Sequence, residues 1–208
     1  MNVVNNIMDN FRKTINFDDL AYLALSSKIE GLVRDYICLE YTNKYRSIDS
    51  GLQVIREFEK VDIAILENEH AKELIELKMG YVFDLIKKPS KSNDAIEWLK
   101  SDFNKSKNLE LMKLHNGCSQ TCILITMDVL ADNLIDDSYA SIFVNYKDKI
   151  NSFMKRRKTE EIDILANQKN RLELNFDASN YRIDGGYWGS GSYSGYDVNF
   201  YYWIIDKI

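Results

Sequence analysis

The sequence predicts an α/β protein in which a mixed β-sheet is flanked by helices. Apolar residues at helical spacing precede two apolar segments of strand length, and these two segments suit an antiparallel hairpin. Further along, residues 121–130 (TCILITMDVL) form a continuous apolar run, which is typical of a buried central strand. The order helix, hairpin, helix, strand, helix, strands indicates a layered fold. With 208 residues, 45% of them hydrophobic, the chain suits a single domain over residues 1–208 with a sizeable core.

The first elements follow from local periodicity. One long helix is predicted from about Asp18 to Tyr45, because apolar residues recur there every three or four positions and Asn16 or Asp18 can cap its start. The pattern then breaks. Residues 53–67 and 71–79 are predicted as strands, since both are rich in Ile, Val and Leu with partial alternation.

The later elements are more varied. A loop at 87–94 leads into a predicted helix over 94–114, and the buried strand follows. A polar helix with a basic segment is predicted over 146–172. From about 170 to 208 the composition changes, with five of the nine glycines and many tyrosines, and a Gly/Tyr-rich β part is predicted. Its strands are expected at 171–176, 181–184 and 197–206, separated by the glycine-rich stretch 185–196.

The predicted hairpin contains charged residues, although burial makes charges costly. If Asn68, Glu69 and His70 form its loop, Asp62 lies directly opposite Glu76. The two faces then differ sharply in chemistry. The apolar face consists of Val61, Ile63, Ile65, Ile75, Leu77 and Met79, and the other face of Asp62, Ala64, Leu74, Glu76 and Lys78.

Two carboxylates placed opposite each other, with Cβ atoms about 5 Å apart, repel. A purely structural sheet would avoid this pairing unless a positive group lay between them. The sequence offers Lys78 on the same face, and a divalent cation is the alternative. Mg²⁺ selects carboxylate oxygens, commonly one or two protein acids together with a substrate phosphate. A neighbouring lysine could orient or deprotonate a water, or stabilise negative charge in a transition state at phosphorus.

This pattern resembles the motif of the PD-(D/E)xK nuclease superfamily. An acid on one strand is followed by acid-x-Lys on its antiparallel neighbour, and a helix bearing a glutamate precedes both. The corresponding residues here are Glu30, Asp62, Glu76, Leu77 and Lys78. The resemblance covers about residues 18–130. It departs from the family at Val61, where the motif name expects proline, and the glutamine-plus-tyrosine helix motif of the recombination-type nucleases is not evident.

The resemblance implies a restriction-endonuclease-like core and an endonuclease that cleaves DNA with Mg²⁺, for which Mn²⁺ can substitute. Asp62, Glu76 and the backbone carbonyl of Leu77 would bind the metal. Lys78 would position the water, and Glu30 would make an outer or second metal contact. The reaction would be direct hydrolysis without a covalent enzyme intermediate. Restriction or another defence against foreign DNA is the implied setting, and a homodimer through the aromatic C-terminal part is the implied assembly.

Two other interpretations stay open. The chain could be a catalytically silent, nuclease-like module that binds a protein or nucleic-acid partner, which its net charge of −5 and pI of about 5.2 favour. Alternatively, the hairpin could be an amphipathic pair of an unrelated α/β protein, with Asp62 and Glu76 in solvent and balanced by Lys78. Glu30 would then form a helical pair with Arg34.

Three further motifs carry weaker signals. The basic run 155–158 (KRRK) could contact a phosphate backbone, although a solvated helix face balanced by the acids that follow is favoured. His115, Cys118 and Cys122 lack a suitably spaced fourth ligand, so no zinc site is predicted. The aromatic rings of the glycine-rich stretch could stack on bases, or pack a hairpin or a dimer interface.

The N-terminal segment lacks the basic start and the apolar block of a signal peptide. No window approaches the ~18 apolar residues that a membrane span needs. Three cysteines without a regular framework suit a reducing compartment. We therefore expect a cytoplasmic protein without a membrane partner.

Overall fold

A computed structural model of the chain describes residues 3–46, 51–86, 94–105, 114–136, 138 and 146–208. The helices are α1 (Val3–Thr14), α2 (Phe17–Ser26), α3 (Glu30–Arg46), α4 (Val82–Ile86), α5 (Ala95–Lys105), α6 (Lys147–Thr159) and α7 (Ile164–Glu173). The strands are β1 (Leu52–Phe58), β2 (Val61–Glu67), β3 (His70–Tyr81), β4 (Leu114–Leu130), β5 (Tyr181–Tyr193) and β6 (Tyr196–Lys207).

The six strands form one mixed sheet in the order β1-β2-β3-β4-β6-β5, which confirms the predicted α/β class. Only β3 and β4 pair in parallel, and the other neighbours are antiparallel. A parallel pair needs a crossover connection, and the chain between β3 and β4 contains α4 and α5.

Strand β4 lies inside the sheet, as its apolar run predicts. Ile123 and Ile125 belong to the larger core cluster, to which α1, α2, α3 and α6 contribute. Cys122 and Leu124 point the other way, into a cluster with α5 and α7. The sheet is therefore covered on both faces here, which explains why β4 has no polar alternation.

The predicted long helix over Asp18–Tyr45 is wrong, because the chain forms two helices there. Helix α2 ends at Ser26, and Ser27 has an extended backbone whose N–H closes the last turn on the Leu23 carbonyl. Ile29 between the helices is 1% exposed, so the apolar spacing continues through the break and hides it. As a result, Glu30 is the first residue of a helix.

Other boundaries also differ from the predictions. Residues 53–67 form two strands, because Glu59 and Lys60 make a tight turn with positive φ angles of 49° and 72° and without glycine. The helix predicted over 146–172 is interrupted, and Asp163 caps α7 by accepting from the Ala166 N–H. The strand predicted at 171–176 is wrong, since these residues form the end of α7 and a turn. Of the helix predicted over 94–114, residues Ala95–Lys105 form α5, residues 106–113 lie outside the described part, and Leu114 begins β4.

The glycine-rich stretch 185–196, predicted to separate two strands, lies mostly within strand β5, which packs against α2. A Cβ atom at Gly189 would overlap with the Phe17 ring, and one at Gly191 would overlap with the Phe17 carbonyl. Most of the aromatic rings in this part are core, with Trp188, Phe200 and Trp203 at 2% exposure or less, whereas Tyr187 is 43% exposed. The glycines thus permit close approach of a helix to the sheet.

Gly191→Ala should destabilise the fold by about 3 kcal/mol, because the methyl group forces α2 away from β5. Urea unfolding would measure the change in the free energy of unfolding. Gly31→Ala is the matched control, since its Cβ would meet only the Arg34 guanidinium at 3.9 Å. A helical alanine should be neutral or stabilising there. Equal free energies of unfolding of the two variants would contradict the close approach of the Phe17 backbone to Gly191.

Candidate active site

The β2–β3 hairpin has the predicted register at its centre, where Ile63 pairs with Ile75 and Ala64 with Leu74. Its turn is tighter than predicted, because His70 already belongs to β3 and pairs with Glu67. A bulge after Ile65 absorbs the one-residue difference. Within residues 61–81, all of them described, the ladder ends at the Ile63–Ile75 pair. The predicted direct pairing of Asp62 with Glu76 is therefore not part of the ladder.

Beyond that point, two carboxylates lie beside backbone N–H groups of β3. Asp62 Oδ2 accepts from the Leu77 N–H at 2.8 Å. The Met79 N–H, the next group on the same edge of β3, is near enough to the Glu30 carboxylate to lower its pKa. Ile29, the residue before Glu30, donates its N–H to Met79 Sδ at 3.4 Å. The first turn of α3 is therefore docked on β3, and the break before Glu30 brings this carboxylate to the strand.

Lys78 lies beside these acids. Its Nζ donates to the Leu77 carbonyl at 3.3 Å and lies 3.0 Å from Asp102 Oδ2. Its charge also acts on Glu30, whose pKa it lowers. Asp62 and Lys78 thus flank the same residue, Leu77, one at its N–H and the other at its carbonyl.

Asp102 on α5 is a member of this cluster that the sequence analysis missed. Its side chain is 2% exposed. A signal was present in the sequence, because Ile96, Leu99 and Phe103 form the buried face of α5, and position 102 belongs to the same face. An acid on an apolar helix face requires a partner, and Lys78 supplies it.

Glu76 is buried, with 7% exposure, and lines a cavity of about 10 Å³, roughly the space of one water molecule. Asp102 and Phe103 of α5 line the same cavity, together with Val61. Val61 was predicted on the face of Ile63 and lies on the Glu76 side instead. The cause is the left-handed backbone of the turn immediately before it, which disturbs the alternation at the start of β2.

The site contains oxygen donors suited to a hard cation, but it is not a closed metal cage. Among the residues that the structure describes, no group of three or more histidine, cysteine, aspartate or glutamate side chains could hold a metal ion by itself. Burial raises the pKa of Glu30, the positive charges of Lys78 and Lys28 lower it, and the nearby charge of Asp62 raises it. The net result is a raised pKa, so the ionised form of Glu30 is costly at this position.

Glu30→Gln should stabilise the fold at neutral pH. A glutamate with a raised pKa in the folded state holds its proton more tightly there than in the unfolded chain, so its contribution to stability is present below its ordinary pKa of 4.5 and is lost as the pH rises through the raised value. Glutamine keeps a side-chain oxygen beside the Met79 N–H. Urea unfolding in EDTA at pH 4 and pH 7.5 would measure the difference between variant and wild type, which should grow with pH.

Under the endonuclease interpretation of the sequence, in which Glu30 would make an outer metal contact, the same variant should lose about 10- to 100-fold in cleavage activity. If the variant and the wild type differed in the free energy of unfolding by the same amount at both pH values, the raised pKa of Glu30 would be contradicted. The expected combination, higher stability with lower activity, is typical of functional residues.

The remaining sequence signals have structural partners. Arg34 contacts Asp35 and Glu57, not Glu30, so the helical pair that served as the alternative for Glu30 is wrong. In the basic run, three of the four side chains bind within the protein, which supports a structural helix face. These contacts are Arg156 with Glu160, Arg157 with the buried Asp128, and Lys158 with the Asp132 carbonyl. The side chain of His115 lies outside the described part, and Cys122 is buried in β4.

The fold and the site together define an α/β protein with a six-stranded mixed sheet and an acid–lysine cluster at the point where β2 and β3 diverge. None of the helices in the described part of the chain is long and apolar enough to cross a membrane. No protein-family model, curated protein or solved structure matches this chain.

Proposed function

We propose that the chain is a Mg²⁺-dependent endonuclease that hydrolyses phosphodiester bonds in DNA. The observation that carries the proposal is the position of Asp62 and Lys78 on the two sides of Leu77, the middle residue of the acid-x-Lys triplet. Glu30, at the start of the preceding helix, reaches the next N–H on the same strand. This placement agrees with the residue pattern on which the resemblance to the PD-(D/E)xK nucleases rests.

The available donors fit Mg²⁺, because they are carboxylate and carbonyl oxygens and because this ion needs only one or two protein acids beside a substrate phosphate. Asp62, Glu76 and the Leu77 carbonyl would hold the ion, and Glu30 would make an outer contact. When bound, Mg²⁺ or Mn²⁺ would stabilise negative charge on the phosphoryl oxygens. The Leu77 carbonyl also accepts from Lys78 Nζ at 3.3 Å, so the ion and the ammonium group would share this oxygen.

Lys78 would orient the attacking water or donate to a phosphoryl oxygen. In the reaction, the water oxygen forms a bond to phosphorus while one P–O ester bond breaks; the water releases one proton to the solvent, and the departing alkoxide takes up one proton from the solvent. Asp62 keeps its carboxylate in place through the Leu77 N–H, so the strand backbone orients this acid. No side chain forms a covalent bond to the substrate in this scheme.

The setting that we propose is restriction or another defence against foreign DNA, with two copies that each cut one strand. Most aromatic rings of the C-terminal part are core and could not form the interface. Strand β5 is an edge of the sheet and carries the exposed Tyr187, so it is the candidate contact. Analytical ultracentrifugation of Tyr187→Ser would test this part separately.

A cleavage assay on supercoiled and linear DNA with Mg²⁺, Mn²⁺ or EDTA tests the activity. We expect metal-dependent nicking by the wild type, loss of nicking in Glu76→Gln, and retained nicking in Glu67→Gln. Glu67 is the matched control because it lies in the same hairpin, where it pairs with Lys72 near the surface. Nicking that persists in Glu76→Gln at the wild-type rate would contradict the proposed site.

A second candidate is a catalytically silent module of the same shape that binds a protein or nucleic acid. The observation that favours it is that Asp62, Glu30 and Lys78 all have partners within the protein, which a purely structural role would require. Calorimetric titration with Mn²⁺ separates the two candidates. Heat of binding that disappears in Asp62→Asn supports the enzyme, and absence of any heat supports the silent module.

A further inference from the structure

A lysine that orients a water or a phosphate needs a fixed position. Its side chain has four rotatable bonds, so an ammonium group that is held by one contact only samples many positions. The Lys78 side chain is 25% exposed and extends from β3 towards α5. Something other than β3 must therefore restrict its ammonium group.

Asp102 is suited to this task because its own position is fixed by packing. Its side chain is 2% exposed, and α5 is held against the sheet by Leu99 and Phe103, which belong to the core cluster of β4 and β6. The carboxylate Oδ2 lies 3.0 Å from Lys78 Nζ. Separating a buried carboxylate from its cation costs much free energy, so the ion pair is a stable element of the site.

The second contact of the ammonium group comes from a different direction. The Leu77 carbonyl, on β3 itself, accepts from Lys78 Nζ at 3.3 Å. Two acceptors, one on a helix and one on the strand, define the position of the nitrogen far better than either alone.

We infer that Asp102 is the positioning residue of the site: it holds the Lys78 ammonium beside the Leu77 carbonyl and acts on the reaction only through Lys78. The inference rests on the proposed nuclease function for its catalytic part. The contact between Asp102 and Lys78 can be tested without any activity.

Competitive labelling of lysines with acetic anhydride, followed by peptide mass spectrometry, tests the contact. Relative to Lys72, Lys78 should be acetylated at least about threefold faster in Asp102→Asn than in the wild type, because its amine loses the contact that holds it against α5 and becomes more accessible to the reagent. Glu97→Gln is the matched control, since Glu97 lies on the same helix and is exposed. It should leave the ratio unchanged. An unchanged ratio in Asp102→Asn would overturn the inference.

Cleavage kinetics test the catalytic part. In Asp102→Asn, kcat should fall by about 10- to 100-fold while KM and Mn²⁺ affinity change by less than about threefold, and Asp102→Glu should recover part of kcat. Where Asp102→Asn does not fold, Asp102→Leu replaces it, because the apolar side chain suits the buried position and Lys78, 25% exposed, can turn its ammonium group towards solvent. A wild-type kcat in a folded variant would overturn the inference and leave the nuclease proposal intact. A wild type without cleavage would overturn the nuclease proposal, and the labelling ratio would still decide whether Asp102 holds Lys78.

Discussion

Asp62→Asn should lose metal-dependent cleavage and keep its stability, whereas Asp62→Ala should lose both. The difference arises because Asp62 has two roles in the structure. Its Oδ2 accepts the Leu77 N–H, and an asparagine side-chain oxygen can do the same. Alanine cannot, and a backbone N–H left without an acceptor in this partly buried place should cost about 1–3 kcal/mol.

The expected loss of activity in both variants is about 1,000-fold or more, since a bound metal ion lowers the barrier of such a reaction by several kcal/mol. The measurements are the nicking rate with Mg²⁺ and the free energy of unfolding in urea. Asp35→Asn is the control, because Asp35 is an exposed acid that forms surface ion pairs with Arg34 and Arg56. Full activity of Asp62→Asn would remove Asp62 from the reaction and leave it only its structural role.

Lys78→Met should abolish cleavage and also destabilise the fold by about 3 kcal/mol. The loss of stability follows because the Asp102 carboxylate, 2% exposed, stays buried without its cation. Replacement of both residues, in Lys78→Met with Asp102→Leu, should recover most of the stability, since two apolar side chains can occupy the space of a buried ion pair. The double variant should stay inactive.

A double-mutant cycle on the free energy of unfolding measures the coupling between these two residues. Mn²⁺ affinity should be similar in Lys78→Met and the wild type, because the lysine is not a metal ligand in the proposed scheme. Additive effects of the two substitutions on stability would mean that the ion pair contributes nothing. Activity of Lys78→Met at the wild-type rate would remove the lysine from the chemistry.

Local patterns predicted the hairpin at the centre of this site well. Ile63 and Ile75 pair as expected, because the side-chain period of two and the short connection leave little choice of register. The pattern failed at the ends of the strands. The turn at Glu59 and Lys60 contains no glycine, so the composition did not predict it. Its left-handed backbone places Val61 on the Glu76 face of the hairpin and not on the Ile63 face.

Contacts between distant segments could not be predicted in the same way. The approach of Lys78 to Asp102 depends on how α5 lies across the sheet, and no local periodicity specifies that orientation. The break before Glu30 was hidden by a buried Ile29 that continued the apolar spacing. The role of Gly191 depends on Phe17, which lies in a helix near the other end of the sequence.

The contact of α2 with β5 has a consequence for the time at which this protein can fold. The Ser192 N–H donates to the Asp18 carboxylate, 174 residues away along the chain. During synthesis, this contact can form only after β5 has left the ribosome. Pairings this distant form slowly and leave intermediates that are prone to aggregate. For this chain, the part of the α2 surface that β5 covers stays open to a chaperone from the translation of Phe17 to that of Gly191.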